Sequence, residues 1–81
     1  MSTLMAQILS IIERALDKAP QTLDPDAAMD ETQGWDSLKT MEIVVAIERH
    51  FQTTFSAQQM MSMDSANSIY EALAANGVGQ G

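Results

Sequence analysis

An all-α fold, a small four-helix bundle of three longer helices and one short helix, is predicted by three features of the 81-residue sequence. Apolar residues recur at spacings of three and four in separate stretches. No stretch alternates apolar and polar residues between hairpin turn signals. Prolines, glycines and capping residues fall between the periodic stretches. Residues 1–76 are expected to form one domain and residues 77–81 a flexible C-terminal tail, with no internal repeat and no second domain.

From Thr3 to about Lys18, Leu4, Ile8, Ile11, Ile12, Ala15 and Leu16 form the apolar stripe of an amphipathic helix, with Ser2 or Thr3 placed to cap its start. Pro20 and Pro25 then bar continuation. The stretch from Ala19 to Asp36 carries Asp24, Asp26, Asp30, Glu31 and Asp36 without one basic residue, and reads as a long acidic loop. A loop this long in so small a domain is either functional or pinned by its own apolar residues, here Leu23, Met29 and Trp35, and for Trp35 pinning is the expectation. The acidic spacing is not that of an EF-hand, so these carboxylates are assigned to solvated surface, with weak divalent-cation binding as the alternative.

Asp36 is placed to cap a second helix from Ser37 to about Phe51, in which Ile43, Ile47 and Phe51, flanked by Val44, face the core. Leu38, Met41 and Val45 form a second apolar strip nearer the serine end, more than packing on one side requires. Ser56 with Gln59 fits a capping box that opens a short helix through Met60 and Met61. Asp64 or Ser65 caps a last helix carrying Ala66, Ile69, Tyr70 and Leu73, which ends near Asn76 because Gly77 suits a C-terminal cap.

Composition excludes several classes of function. A chain that is 46% hydrophobic and 19% charged is apolar enough to fold, though one this small has a narrow stability margin. Its four basic residues against eleven acidic ones give a net charge of −7, which repels nucleic acid and anionic lipid and favours partners with basic surfaces. With no cysteine and one histidine there is neither disulfide nor thiolate site, and no metal centre is expected. There is no signal-peptide pattern and no apolar run of membrane-spanning length, so a cytoplasmic, monomeric protein is expected. The seven methionines are assigned to core filling, with a cavity that opens for an acyl chain as the alternative, and His50 to the surface of the second helix.

Chemistry concentrates at Gly34-Trp35-Asp36-Ser37-Leu38, which sets a hydroxyl in the first turn of a helix directly after a long loop. The unpaired N–H groups and positive dipole end of such a helix favour an attached phosphate. Asp36-Ser37-Leu38, followed by Met41-Glu42-Ile43-Val44 and Ile47-Glu48 through Phe51, resembles the acyl carrier protein family. The resemblance extends over nearly the whole chain: first helix, acidic loop, serine-bearing helix, short third helix and closing helix.

That resemblance implies a helical bundle of acyl-carrier-protein type that is not an enzyme. It implies that Ser37 carries a covalent 4'-phosphopantetheine arm taken from coenzyme A, and that Asp36 assists the modification. It implies acyl intermediates held as thioesters, and as partners a phosphopantetheinyl transferase and acyl-loading and acyl-processing enzymes with basic docking surfaces. Leu38, Met41, Glu42, Val45 and Glu48 match the positions that face those partners. Lys39, Arg49 and His50 depart from the more acidic pattern of carriers in fatty acid synthesis. Two alternatives stand beside this reading: an aminoacyl or peptidyl carrier, and an unmodified acidic helical adaptor that binds basic protein surfaces.

Overall fold

The computed structural model describes residues 3–79. Four helices, α1 (Thr3–Ala15), α2 (Ser37–Phe51), α3 (Ala57–Met61) and α4 (Ala66–Ala75), are joined by a long loop, two short connections and a single 3-10 turn at Met29–Glu31. The expected bundle of three longer helices and one short one is what forms. The proposed cap at Ser2 lies outside the described residues.

Ile8 and Ile12 of α1, Ile43 and Ile47 of α2, Met63, and Ile69 and Leu73 of α4 are fully buried and form the centre of the core. The contacts of α1 with α2 and with α4 hold the bundle together. Burying an isoleucine or leucine side chain is worth about 1.5–3 kcal/mol, so these few residues carry much of the hydrophobic stabilisation.

α1 stops at Ala15, one turn short of the expected end near Lys18. The Lys18 N–H bonds the Glu13 carbonyl at 2.8 Å and the Asp17 N–H bonds the Arg14 carbonyl at 3.2 Å, with Asp17 in the left-handed region at φ 59°. This is a Schellman cap, built on aspartate instead of glycine. The same cap ends α4, where the Val78 N–H reaches the Leu73 carbonyl at 2.9 Å and Gly77 takes φ 84°. Val78 packs against the core, while Gln80 and Gly81 lie outside the described residues.

The acidic loop is tied down at three places. Glu13, only 5% exposed, accepts hydrogen bonds from the N–H groups of Gln21 (3.2 Å), Thr22 (3.0 Å) and Leu23 (3.0 Å), so one carboxylate satisfies three loop donors. Ala28 pairs in antiparallel fashion with Ser65: the Met29 N–H bonds the Asp64 carbonyl at 2.8 Å and the Ala66 N–H bonds the Ala27 carbonyl at 2.9 Å. Trp35, 3% exposed, closes the loop against the bundle, as expected of a pinning residue. Asp24, Asp26, Asp30, Glu31 and Asp36 are all exposed.

α3 and α4 begin with capping boxes at Ser56/Gln59 and Ser65/Ser68. Of the two candidates for the α4 cap, Ser65 fills the role. Gln59 also reaches Asn76 Oδ1 at 3.0 Å, and the Asn76 amide bonds Thr53 Oγ1 at 3.0 Å and the Thr54 carbonyl at 3.1 Å, so Asn76 fastens both ends of the α2–α3 segment to α4.

Candidate functional site

The site is built around the start of α2. Gly34, at φ 89°, supplies the turn that brings the loop to Trp35 and Asp36. Asp36 then caps the helix: its backbone is extended and its Oδ1 accepts the Lys39 N–H at 2.9 Å. Ser37 follows as the first helical residue, exposed, its hydroxyl making no hydrogen bond among the described residues. The Ser37 and Leu38 N–H groups, two of the four that a helix start leaves unpaired, remain open beside it.

Thr40 locks this arrangement from one turn further along. Its hydroxyl accepts the Trp35 indole N–H at 2.8 Å and donates to the Asp36 carbonyl at 3.1 Å, with the Met29 sulfur 3.5 Å away. The buried indole is thereby satisfied, and the loop, cap and first turn of α2 are held as one unit.

At Ser37 opens a groove of about 300 Å³ lined by Met29, Met41, Met60, Met61 and Met63 together with Thr40 and Asp64. Core filling accounts for Met5 and Met63, which are buried, but not for Met41 (58% exposed) or Met61 (87% exposed). Met61 is the last residue of a five-residue helix that buries none of its side chains, so nothing covers it. Methionine is flexible and polarizable, which makes this a wall that adapts to an apolar occupant. Sequence reading places Ser37 at a helix mouth and raises a methionine-lined cavity only as the alternative to core filling; it does not locate the groove, because the lining comes from four separate segments.

Along α2 the structure separates the predicted docking residues. Leu38 (70% exposed), Met41 and Val45 (45% exposed) form one bare apolar strip. Glu42 is exposed on the same face and pairs with Lys39 at 3.0 Å. Glu48 stands apart: it is half-buried and its Oε2 accepts the Phe55 N–H at 2.8 Å, bracing the connection to α3. His50 is exposed, with its ring edge-on to Phe51 at 4.7 Å between centroids.

The site suits a phosphodiester-linked arm on three grounds of its own. An exposed hydroxyl without a partner is available for modification. Two open N–H groups at the positive end of α2 lie next to where a phosphate would sit. The adjoining groove is apolar, as a greasy load requires.

Comparison with known proteins agrees with this geometry. The family model described as the phosphopantetheine attachment site matches residues 6–73. Acyl carrier protein 3 of Ralstonia nicotianae is 35% identical over 67 residues, which cover 83% of this chain and 77% of that protein. The solution structure of a holo acyl carrier protein from Geobacter metallireducens has a similar fold, with a TM-score of 0.66 at 21% identity, covering 89% of this chain and 88% of that one.

Proposed function

The chain belongs to the acyl carrier protein family, the group defined by a phosphopantetheine attachment site, and from that premise we propose that Ser37 is its attachment residue. Members of this family are carriers and generally not catalysts, and they work with biosynthetic enzymes. The attached arm supplies a terminal thiol on which an acyl group is held as a thioester. The observation that supports Ser37 is its position: an unpartnered hydroxyl at the first residue of α2, next to an apolar groove, inside the matched span.

This chain's own residues have distinct tasks in that reading. Asp36 fixes the first turn and presents its second carboxylate oxygen toward the transferase and its metal ion. The open Ser37 and Leu38 N–H groups receive the phosphate, and Thr40 and Trp35 keep the loop from folding over the hydroxyl. Leu38, Met41 and Val45, with Glu42 beside them, meet the phosphopantetheinyl transferase and the acyl-loading and acyl-processing enzymes. Glu48, with one carboxylate oxygen committed to Phe55, brings only the other to a partner. Because the chain has no cysteine, the arm's thiol has no internal competitor for exchange. The family match and the relative favour acyl carriage over aminoacyl carriage or an unmodified adaptor.

Intact-mass measurement after incubation with coenzyme A and a broad-specificity transferase tests the assignment. Wild type gains one phosphopantetheine, and Ser37→Ala gains none. Labelling of the Ser37→Ala variant, or none of the wild type under conditions that label a known carrier, overturns it.

A further inference from the structure

Two basic residues of this acidic chain, Arg14 and Arg49, line adjoining grooves. A groove of about 680 Å³ runs along the outer face of α2 past Met41, Val45, Arg49 and His50. A second, of about 370 Å³, lies between α1 and α2 and is lined by Ile11, Arg14 and Ala15 from one helix and by Glu42, Ala46 and His50 from the other. The grooves share Glu42, Ala46 and His50, so Arg14 and Arg49 border two adjoining grooves, a shallow depression of mixed apolar and polar lining. The apolar strip that begins at Leu38 therefore runs into a cationic end about 18 Å from Ser37, at a rise of about 1.5 Å per residue.

No carboxylate among the described residues, Asp17 included, forms an ion pair with Arg14 or Arg49. Glu42 is paired with Lys39, the one ion pair among the described residues. Glu13 is turned into the acidic loop, holding three N–H groups, and Glu48 is turned toward Phe55. Arg14 and Arg49 are exposed and unpaired among the described residues. Each sits in the last turn of its helix, where a cation complements the dipole. That preference selects the turn and not the face, so it leaves their shared depression unexplained.

We propose that this depression docks a carboxylate-bearing, amphipathic surface of a partner enzyme, resting on the reading of α2 as the docking helix. The partner places apolar side chains in the depression and acidic ones opposite Arg14 and Arg49. The docking face is then bipolar: Asp36 near Ser37 meets basic groups, and the far end meets acidic ones. A partner of uniformly basic surface is repelled by the far end. The net charge of −7 does not forbid an acidic contact there, because charges more than about 8 Å away are largely screened at physiological ionic strength and the partner meets the local field. Complementarity of this kind selects partners and fixes their orientation.

The probe is a designed helical peptide of about fifteen residues with leucine on one face and glutamate on the other, compared with its lysine counterpart. NMR titration into the full chain is expected to shift amides of residues 11–15 and 42–50 with the glutamate peptide only. Affinity should fall roughly tenfold for R14E/R49E and by a smaller factor for R14Q/R49Q, which keeps the fold safe from a repulsive helix end. Equal shifts with the lysine peptide, or unchanged affinity in the R14Q/R49Q variant, overturn the proposal. So does a concentration series of the chain alone that shifts the same amides, since a second copy would then be the occupant. Loading of Ser37 is measured on the same samples. Failure to load sinks the attachment reading, whereas normal loading without peptide binding sinks this one.

Discussion

Trp35 donates its indole N–H to the hydroxyl of Thr40 at 2.8 Å, across the junction between the acidic loop and α2. Thr40→Val keeps the shape and removes the acceptor, which strands a donor on a side chain only 3% exposed. The expected cost is about 1–3 kcal/mol. In a domain of this size each kcal/mol lowers Tm by about 4–8 °C. Thermal unfolding followed by far-ultraviolet circular dichroism checks this, and Trp35→Phe combined with Thr40→Val should cost less than the sum of the two single changes, because no orphaned donor is left.

Glu13 is the second fastening of the loop, and its loss should be felt at a distance in sequence. Glu13→Ala leaves the Gln21, Thr22 and Leu23 N–H groups without their acceptor, for an expected loss of about 2–4 kcal/mol, the hydrogen bonds to a charged group being the stronger kind. Denaturant titration gives the total. Amide hydrogen exchange at residues 21–23 locates it, and unchanged protection there would refute this account of the loop.

Asp36 caps α2, and two substitutions separate that task from the chemical one proposed for it. Asp36→Ala removes the cap on the Lys39 N–H and should cost about 1 kcal/mol. Asp36→Asn keeps an equivalent cap and should leave stability nearly unchanged, yet slow phosphopantetheine transfer if the carboxylate charge serves the transferase's metal ion. Equal loading rates for wild type and D36N would confine Asp36 to capping.

Self-repulsion at a net charge of −7 makes stability depend on ionic conditions. Raising NaCl from about 20 mM to about 300 mM shortens the screening length severalfold, and the melting temperature should rise. Millimolar divalent cation should do the same. A Tm indifferent to both would mean that the exposed carboxylates are too well separated to matter.

The helices are legible in the sequence because their signals are local. Periodic isoleucines, Asp36, the Ser56/Gln59 pair and Gly77 each act within a few residues of themselves, and the structure places them in the roles those signals predict. The end of α1 falls one turn earlier than its periodicity predicts, because a left-handed aspartate at residue 17 leaves no mark of the kind a glycine leaves. Most of the site is illegible for a different reason. Thr40, Glu13 and the Ala28–Ser65 pairing act only on partners brought near by folding, and the methionine groove exists only once α2, α3 and the loop have met.

The pairing of Ala28 with Ser65 also has a bearing on when the molecule becomes competent. Residues so far apart in the chain cannot join until the start of α4 has left the ribosome, and until then Ala27 and Met29 lack the backbone partners that Ala66 and Asp64 supply. A half-made chain exposes the serine but lacks its surroundings. The groove beside Ser37 and the pairing that backs it are therefore complete only once residues 60–66 have been made.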